Sequence, residues 1–162
     1  MHTQLLAQSP LLILPLAAMF LVGLSGTVTA LGDTLFPPTS LAAGFAQDFT
    51  PGTHLFVRLR GIHPILAAST GAAIVLAGGL VRALRPSRAG RLLSRGAALL
   101  VVAQVAAGLL DVALLEPVWL QLVHLMLADC VWITLVLTTA SALGVAPEAV
   151  TEQTGAPATA RP

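Results

Sequence analysis

Four long apolar segments make up most of this 162-residue chain. Each contains about twenty residues or more, which is the length that a helix needs to cross roughly 30 Å of hydrocarbon. Charged residues account for only 9% of the sequence, too few to coat a soluble surface of this size. The sequence therefore predicts an all-α membrane protein, a four-transmembrane-helix bundle within residues 1–145, with its apolar segments at residues 11–31, 61–81, 96–115 and 118–143.

The positive charges predict how this bundle is oriented. All eight basic residues are arginines, and five of them fall between Arg82 and Arg95, where no acidic residue occurs. The positive-inside rule places this loop in the cytoplasm. With four crossings, both termini are then expected to be cytoplasmic, in the plasma membrane of a prokaryote. The net charge of +1 gives no support for binding nucleic acid, and the single Cys130 excludes an intrachain disulfide and a cysteine-based metal site.

The connecting segments have their own signatures. Residues 32–60 are rich in proline, glycine and short polar residues, which favour an ordered or partly ordered loop over a helix. Thr53 is expected to cap a helix that begins near His54 and continues through the second apolar segment. Residues 146–162 lack apolar periodicity and are predicted to form a disordered cytoplasmic tail. Residues 28–30 also resemble a signal-peptide cleavage site, but no Lys or Arg precedes the first segment, which favours an uncleaved helix.

Two histidines share the pattern His-x-x-Leu-Ala near the start of an apolar segment, one at His63 and one at His124. Both helices run in the same direction, so the two rings are expected at similar depth. Coordinating residues inside a membrane are costly and usually functional, and neutral imidazoles are standard axial ligands of haem iron. The pattern favours a haem site with both histidines as iron ligands. The alternative is that each ring hydrogen-bonds a neighbouring helix or loop carbonyl.

Other features are compatible with a ligand between two similar halves. Each pair of segments has an acidic residue and a proline near its outer end, followed by a histidine-bearing helix, and parallel repeats place their ligand at the interface between the halves. On the second helix, Ala67, Gly71 and Gly78 leave room for a flat cofactor. Ordinary close packing of membrane helices explains the same small residues.

Polar residues on the third helix are candidates for supporting His124. Gln104, Gly108 and Asp111 are spaced to share one helix face. Gln104 or Asp111 is therefore placed to accept a hydrogen bond from the second ring nitrogen of His124. For Asp111, the alternative is that its carboxylate reaches water at the outer surface.

Three further charged residues stand out by position. Arg58 and Arg60 lie where the propionates of a membrane haem would emerge, and guanidinium groups pair well with carboxylates. Anchoring of the helix end at the interface is the alternative for both. Asp129 is placed deep in the last segment on a different face from His124, where a buried carboxylate needs a partner; Thr134 and Thr138 offer hydroxyls nearby.

Several of these motifs together resemble the haem A synthase family, and in particular its C-terminal four-helix half. The resemblance rests on residues 26–37 (Gly-Thr-Val-Thr-Ala-Leu-Gly-Asp-Thr-Leu-Phe-Pro), on Arg58-Leu-Arg-Gly-Ile-His-Pro, on Gln104 to Gly108 and on Pro117 to His124. It covers about residues 10–143. The family converts the C8 methyl of haem O to the formyl group of haem A. The resemblance implies that His63 and His124 ligate a haem b cofactor.

The resemblance also implies which half this chain is. The family's catalytic half carries Glu-x-x-His-Arg at the equivalent helix start and a cysteine pair in its outer loop. Here Arg60 and Pro64 stand at the Glu and Arg positions, and the outer loop has no cysteine. The chain is therefore expected to be the electron-transferring haem b half, completed by a second four-helix bundle or by a homo-oligomer. A stand-alone b-type cytochrome or haem-carrying module without catalysis is the alternative.

Overall fold

The structure is a computed structural model that describes residues 2–84 and 87–143. Within these two ranges the chain is all-α, without a strand. Four helical spans are long and apolar enough to cross a membrane: Ile13–Leu35, Leu55–Ala83, Arg88–Ala113 and Val118–Ser141. The prediction of an all-α bundle with four membrane-spanning helices is confirmed. The helices are α1 (His2–Leu35), α2 (Leu41–Phe49), α3 (Leu55–Arg60), α4 (His63–Leu84), α5 (Arg88–Ala113) and α6 (Val118–Leu143).

The long helices pack mainly as neighbours along the chain, with α5 between α4 and α6, and with α1 against α4 and α6. The buried core is small and apolar, formed by Ile74, Ala97, Val131 and Leu135, with Leu16 and Met19 of α1 packed against it. Many large apolar side chains face outwards instead; Leu76 and Leu99, for example, are 73% and 72% exposed. Lipid tails are as apolar as these side chains, so a membrane bundle does not need to bury them between its helices.

The predicted loop over residues 32–60 contains more helix than expected. Helix α1 continues to Leu35, and α2 and α3 lie inside this segment. Ser40 caps α2, since its hydroxyl accepts from the backbone N–H of Ala43 at 3.2 Å. The expectation of a non-helical loop is therefore wrong. The prolines and glycines mark the breaks between short helices, and composition alone does not distinguish such breaks from one continuous loop.

The cap of α3 also differs from the prediction. The residue that caps this helix is His54, whose Nδ1 accepts from the backbone N–H of Phe56 at 3.3 Å. Thr53 instead donates its hydroxyl to the carbonyl of Thr50. The helix that starts here does not continue unbroken, because Pro64 lacks an N–H and its ring conflicts with the carbonyl four residues earlier. The break at residues 61–62 makes His63 the first residue of α4.

The arginine-rich connection is shorter than the sequence suggested. Helix α5 begins at Arg88, where the Ser87 hydroxyl accepts from the backbone N–H of Gly90 at 2.9 Å. Arg91 and Arg95 thus belong to the first turns of α5. Arginines are tolerated there because long basic side chains can extend from a helix end to the membrane surface. Residues 85 and 86 and the predicted tail at 146–162 lie outside the described residues. The cytoplasmic location of the termini remains a prediction.

Candidate functional site

His63 is held by two adjacent residues of α1. Its Nδ1 lies 2.9 Å from the hydroxyl oxygen of Ser25, and its ring lies against Gly26, where a Cβ would be 3.2 Å from Cε1 of the imidazole. The Ser25 hydroxyl donates its proton to the carbonyl of Val22 at 2.8 Å. A hydroxyl has one proton to give, so the proton in the second bond comes from Nδ1 of His63. The Nε2 of a neutral His63 is then left with a lone pair.

His124 occupies a similar notch in the other half of the bundle. Its ring lies against Gly108 of α5, where a Cβ would be 2.9 Å from Cε1. Its Nε2 is 3.1 Å from the side-chain amide nitrogen of Gln104. Two nearby buried atoms, Nδ1 of His124 and Oε1 of Gln104, have no hydrogen-bond partner among the described residues. A buried polar atom without a partner is unusual and requires an explanation.

The two histidines therefore sit in equivalent places. Each belongs to a long helix, α4 or α6, and each ring packs on a glycine of the long helix before it in the chain, Gly26 in α1 or Gly108 in α5. The weak repeat seen in the sequence thus has a structural counterpart at this position.

Ser25 and Gly26 were not identified from the sequence as site residues. The available signal was a glycine in the middle of the first apolar segment, matching Gly108 in the third. A small residue at a helix contact lets a neighbouring side chain approach closely. The hydroxyl contact itself joins residues that are 38 positions apart, and only the packing of α1 on α4 brings them together.

Gln104 and Asp111, the two residues expected to support His124, have different surroundings. Gln104 reaches the ring, as its spacing suggested, but through its amide nitrogen, which can donate to Nε2 and does not accept from the ring as expected. Asp111 makes no hydrogen bond to His124 within the described part of the chain, and its buried Oδ1 has no partner there. Asp111 lies about two turns beyond Gln104, next to the α5–α6 turn, where its backbone carbonyl accepts from the N–H of Glu116 at 2.8 Å.

The two arginines expected near haem propionates also differ. Arg60 is buried, with 7% of its surface exposed, and pairs with Asp33 at 3.0 Å and with Asp48. The same guanidinium donates to the Gly44 carbonyl and to the side-chain oxygen of Gln47, both at 3.1 Å. Four of its five N–H donors are therefore engaged within the chain. Arg58 is exposed and forms no ion pair with the described residues.

Glu116 adds another carboxyl to this end of the bundle. It lies in the α5–α6 turn, where Leu115 and Glu116 both adopt left-handed backbone conformations, with φ of 60° and 61°. Burial, reinforced by repulsion from Asp33, raises the pKa of Glu116 to about 8. Arg60 opposes this shift. The turn thus brings the second half of the bundle into contact with the ionic cluster formed by Asp33, Asp48 and Arg60.

Asp129 lies deep in the last span, as the sequence predicted, but it is not buried. Its side chain is exposed on the outer face of α6, close to the middle of the span Val118–Ser141. Thr138 donates its hydroxyl to the carbonyl of Thr134 in its own helix and is not bonded to Asp129. The expectation of a buried carboxylate is wrong, because helical spacing shows that two residues lie on different faces but does not show which face meets a neighbouring helix.

Sequence similarity to known proteins extends over most of the chain. A family model described as COX15-CtaA, cytochrome oxidase assembly protein, matches residues 5–136. Two curated relatives, both named protoheme IX farnesyltransferase, come from two strains of Thermus thermophilus. They are 50% and 49% identical to this chain over 132 residues. No solved structure gives a significant match.

The extent of these matches differs between the family and the two relatives. Each relative matches 82% of this chain but only 22% of its own length, so the chain spans about a fifth of the curated relatives that it matches. Most of each relative lies outside the matched region, so the name farnesyltransferase describes those longer proteins and not this chain. The family match covers most of this chain, and the resemblance to haem A synthases is confirmed. The chain is a multi-pass membrane protein that belongs to the COX15-CtaA family of cytochrome oxidase assembly proteins.

Proposed function

We propose that this chain binds haem b and relays electrons within a haem A synthase, in the oxidation of the haem O methyl group to the haem A formyl group. It does so in the plasma membrane of a bacterium. The observation that carries the proposal is the pair of half-buried histidines, each lodged against a glycine of the preceding long helix. Membership of a cytochrome oxidase assembly family supports the same pathway.

The donor set suits a haem better than a bare metal ion. No cluster of three or more His, Cys, Asp or Glu able to hold an ion occurs among the described residues. A haem iron already has four equatorial nitrogens and needs two further axial ligands. His63 offers an Nε2 lone pair, and the unpartnered buried Nδ1 of His124 and Oε1 of Gln104 are consistent with a site whose hydrogen bonds rearrange when a ligand binds. Bound haem b would supply a one-electron carrier.

The remaining residues have roles around this pair. Gly26 and Gly108 set how closely the rings approach α1 and α5, and Ser25 orients His63. Arg58, exposed at the end of α3, is the arginine left to pair with a haem propionate. Arg60 instead holds α1, α2 and α3 together through its bonds to Asp33, Asp48 and Gly44.

The catalytic step is placed outside this four-helix bundle. Arg60 occupies the position where the family's catalytic half carries Glu, and it is engaged in ion pairs. We therefore expect a second four-helix bundle, or a homo-oligomer, to complete the enzyme. The curated relatives carry a region like this chain within longer proteins named for the farnesylation of protohaem, which supports a role on the same porphyrin.

A stand-alone b-type cytochrome without catalysis is the second candidate. It is favoured by the same replacement of Glu by an ion-paired Arg60, since that change removes a group the family's chemistry would use. The two candidates differ in their effect on cells. If deleting the gene abolishes haem A and the intact chain restores it, the enzyme component is supported. If haem A stays at its normal level, that function is wrong and the cytochrome is supported.

Haem binding is tested on the purified protein by absorption spectroscopy with pyridine haemochrome identification. The expected result is a low-spin, six-coordinate b-type spectrum that His63→Ala and His124→Ala each abolish or convert. His54→Asn is a matched control, because Asn removes an imidazole outside the proposed site but can still cap α3. Low-spin haem in the double variant His63→Ala/His124→Ala would show that the ligand assignment is wrong.

A further inference from the structure

We propose that the two histidines are inequivalent ligands: Ser25 holds His63 ready to bind iron, whereas Gln104 occupies the ligating nitrogen of His124 and must release it. This inference rests on the proposed haem site and extends it to the order of assembly. His63 engages the haem first, and His124 completes the coordination after Gln104 has moved. Ser25 is a positioning residue, because it acts through His63.

Ser25 has a single hydroxyl proton, which decides the direction of its hydrogen bond with His63. The hydroxyl proton is used in the 2.8 Å bond to the Val22 carbonyl. The 2.9 Å contact with His63 therefore has Nδ1–H as its donor and the Ser25 oxygen as its acceptor. This bond selects the tautomer whose Nε2 carries a lone pair, and it fixes the plane of the ring. A ligating histidine is usually supported in this way through its other nitrogen.

His124 is hydrogen-bonded through the other ring nitrogen. Here the contact with Gln104 is made by Nε2, at 3.1 Å, and Nδ1 is buried without a partner in the described structure. If the amide nitrogen faces the ring, it donates to the Nε2 lone pair. If the amide is turned over, its oxygen accepts from an Nε2–H. In either orientation Nε2 is occupied, so the conclusion does not depend on how the amide is turned.

The ring of His124 lies close to the backbone of α5 at Gly108. A Cβ at Gly108 would be 2.9 Å from Cε1 of His124, so the imidazole packs directly on the backbone of α5 and cannot move further towards that helix. The Gln104 side chain has three side-chain torsions and is the part that can move. At the equivalent position in α1, one turn before Gly26, stands Val22, which has no side-chain donor. Gln104, together with Ala107 at the position equivalent to Ser25, therefore accounts for the difference between the two sites.

The experiment titrates ferric haem into the haem-free, full-length protein in nanodiscs and follows the spectrum with time. The wild type is expected to bind in two phases, with a five-coordinate species preceding the low-spin product. Gln104→Leu, which keeps the bulk and removes the amide, is expected to speed the second phase. His124→Ala is expected to stop at the five-coordinate species, and His63→Ala to bind haem more weakly than His124→Ala.

Ser25→Ala is expected to lower haem affinity by about 10- to 100-fold, the usual effect of losing such a support. It is also expected to raise the reduction midpoint potential, because a less basic imidazole stabilises the ferric iron less. Ser25→Thr keeps the hydroxyl and should restore both values. Thr29→Ala is the control, since the Thr29 hydroxyl bonds only the Ser25 carbonyl of its own helix, at 3.0 Å.

The outcomes separate this inference from the proposed function. A low-spin wild type whose affinity, potential and binding phases are unchanged in Ser25→Ala and Gln104→Leu would overturn the inference and leave the haem site standing. A wild type that never becomes low-spin would overturn the haem site itself. If Ser25→Ala fails to fold, Ser25→Thr provides the test instead, because it keeps the hydroxyl. A folded Ser25→Thr variant that does not keep the wild-type reduction potential would also contradict the role of the hydroxyl.

Discussion

Gly108 of α5 lies so close to His124 of α6 that a Cβ at the glycine would be 2.9 Å from Cε1 of the ring. This is well inside the usual carbon–carbon contact distance of about 3.5–4.0 Å. Gly108→Ala is therefore expected to displace the imidazole and to convert or abolish a low-spin haem spectrum. Gly26→Ala should act in the same direction but less strongly, because the corresponding distance to His63 is 3.2 Å.

The control for these glycines is Gly96→Ala, also in α5, where a Cβ would meet nothing within 4 Å. Its spectrum should match the wild type. Absorption spectra of the three variants at equal haem loading provide the comparison. An unchanged spectrum in Gly108→Ala would mean that the ring does not depend on this notch.

Removing the guanidinium of Arg60 is expected to destabilise the folded protein strongly. Arg60 and Asp33 are buried, with 7% and 5% of their side chains exposed, so Arg60→Ala leaves Asp33 and Asp48 without their counter-charge. Breaking a buried pair by removing one partner costs about 3–5 kcal/mol. Arg58→Ala, at an exposed position in the same short helix, should change the free energy of unfolding by no more than about 0.5 kcal/mol.

Denaturant unfolding in mixed micelles measures the free energy of unfolding of Arg60→Ala and of Arg58→Ala, each compared with the wild type. Equal values for Arg60→Ala and Arg58→Ala would contradict a structural role for the cluster around Arg60.

Glu116 is expected to make stability fall as the pH rises. Its pKa is about 8 in the folded protein against 4.5 ordinarily, so between these values the folded state keeps a proton that the unfolded state releases. Stability declines through this window and the loss is complete above it. The full shift corresponds to roughly 5 kcal/mol, and because Glu116 is half-exposed, solvent screening reduces the expected effect to about 1–2 kcal/mol.

Glu116→Gln should remove most of this decline and be more stable than the wild type at pH 8.5, whereas the two should be similar at pH 4. Glu116→Asp keeps the carboxyl and should keep the decline. Thermal unfolding in nanodiscs across this pH range measures the difference. A wild-type profile that is flat or rises from pH 5 to 8 would contradict the expected protonation of Glu116.

Asp129 is exposed near the middle of the last span, so its replacement should favour membrane insertion. On the insertion scale an Asp at the helix centre costs about 2.5–3.5 kcal/mol, and a Leu contributes about −0.3 to −0.6 kcal/mol. Asp129→Leu should therefore make insertion of the α5–α6 hairpin more favourable by about 3–4 kcal/mol. A glycosylation-mapping assay in microsomes measures this change.

Met126→Leu is the control for Asp129→Leu, because Met126 is an exposed apolar residue one turn earlier on the same helix. It should leave insertion unchanged. If Asp129→Leu also has no effect, the carboxyl does not meet lipid during insertion.

The features that the sequence predicted well are those that depend on local order along the chain. The four membrane spans follow from the length of the apolar runs, which needs no knowledge of neighbours. The similarity of His63 and His124 followed from a repeated pattern, and the contact of Gln104 with His124 from helical spacing. The short helices α2 and α3 were missed because prolines and glycines mark helix breaks and loops in the same way.

Features that depend on which helix faces meet could not be predicted. The contact of Ser25 with His63, the ion pairs of Arg60 with Asp33 and Asp48, and the outward position of Asp129 each require the arrangement of the bundle. Spacing shows which residues share a face but leaves open what that face contacts. By itself the sequence determined that this is a four-span membrane bundle with two matched histidines. The tertiary structure alone decided what each histidine, arginine and carboxylate touches, because those contacts join residues far apart in the chain.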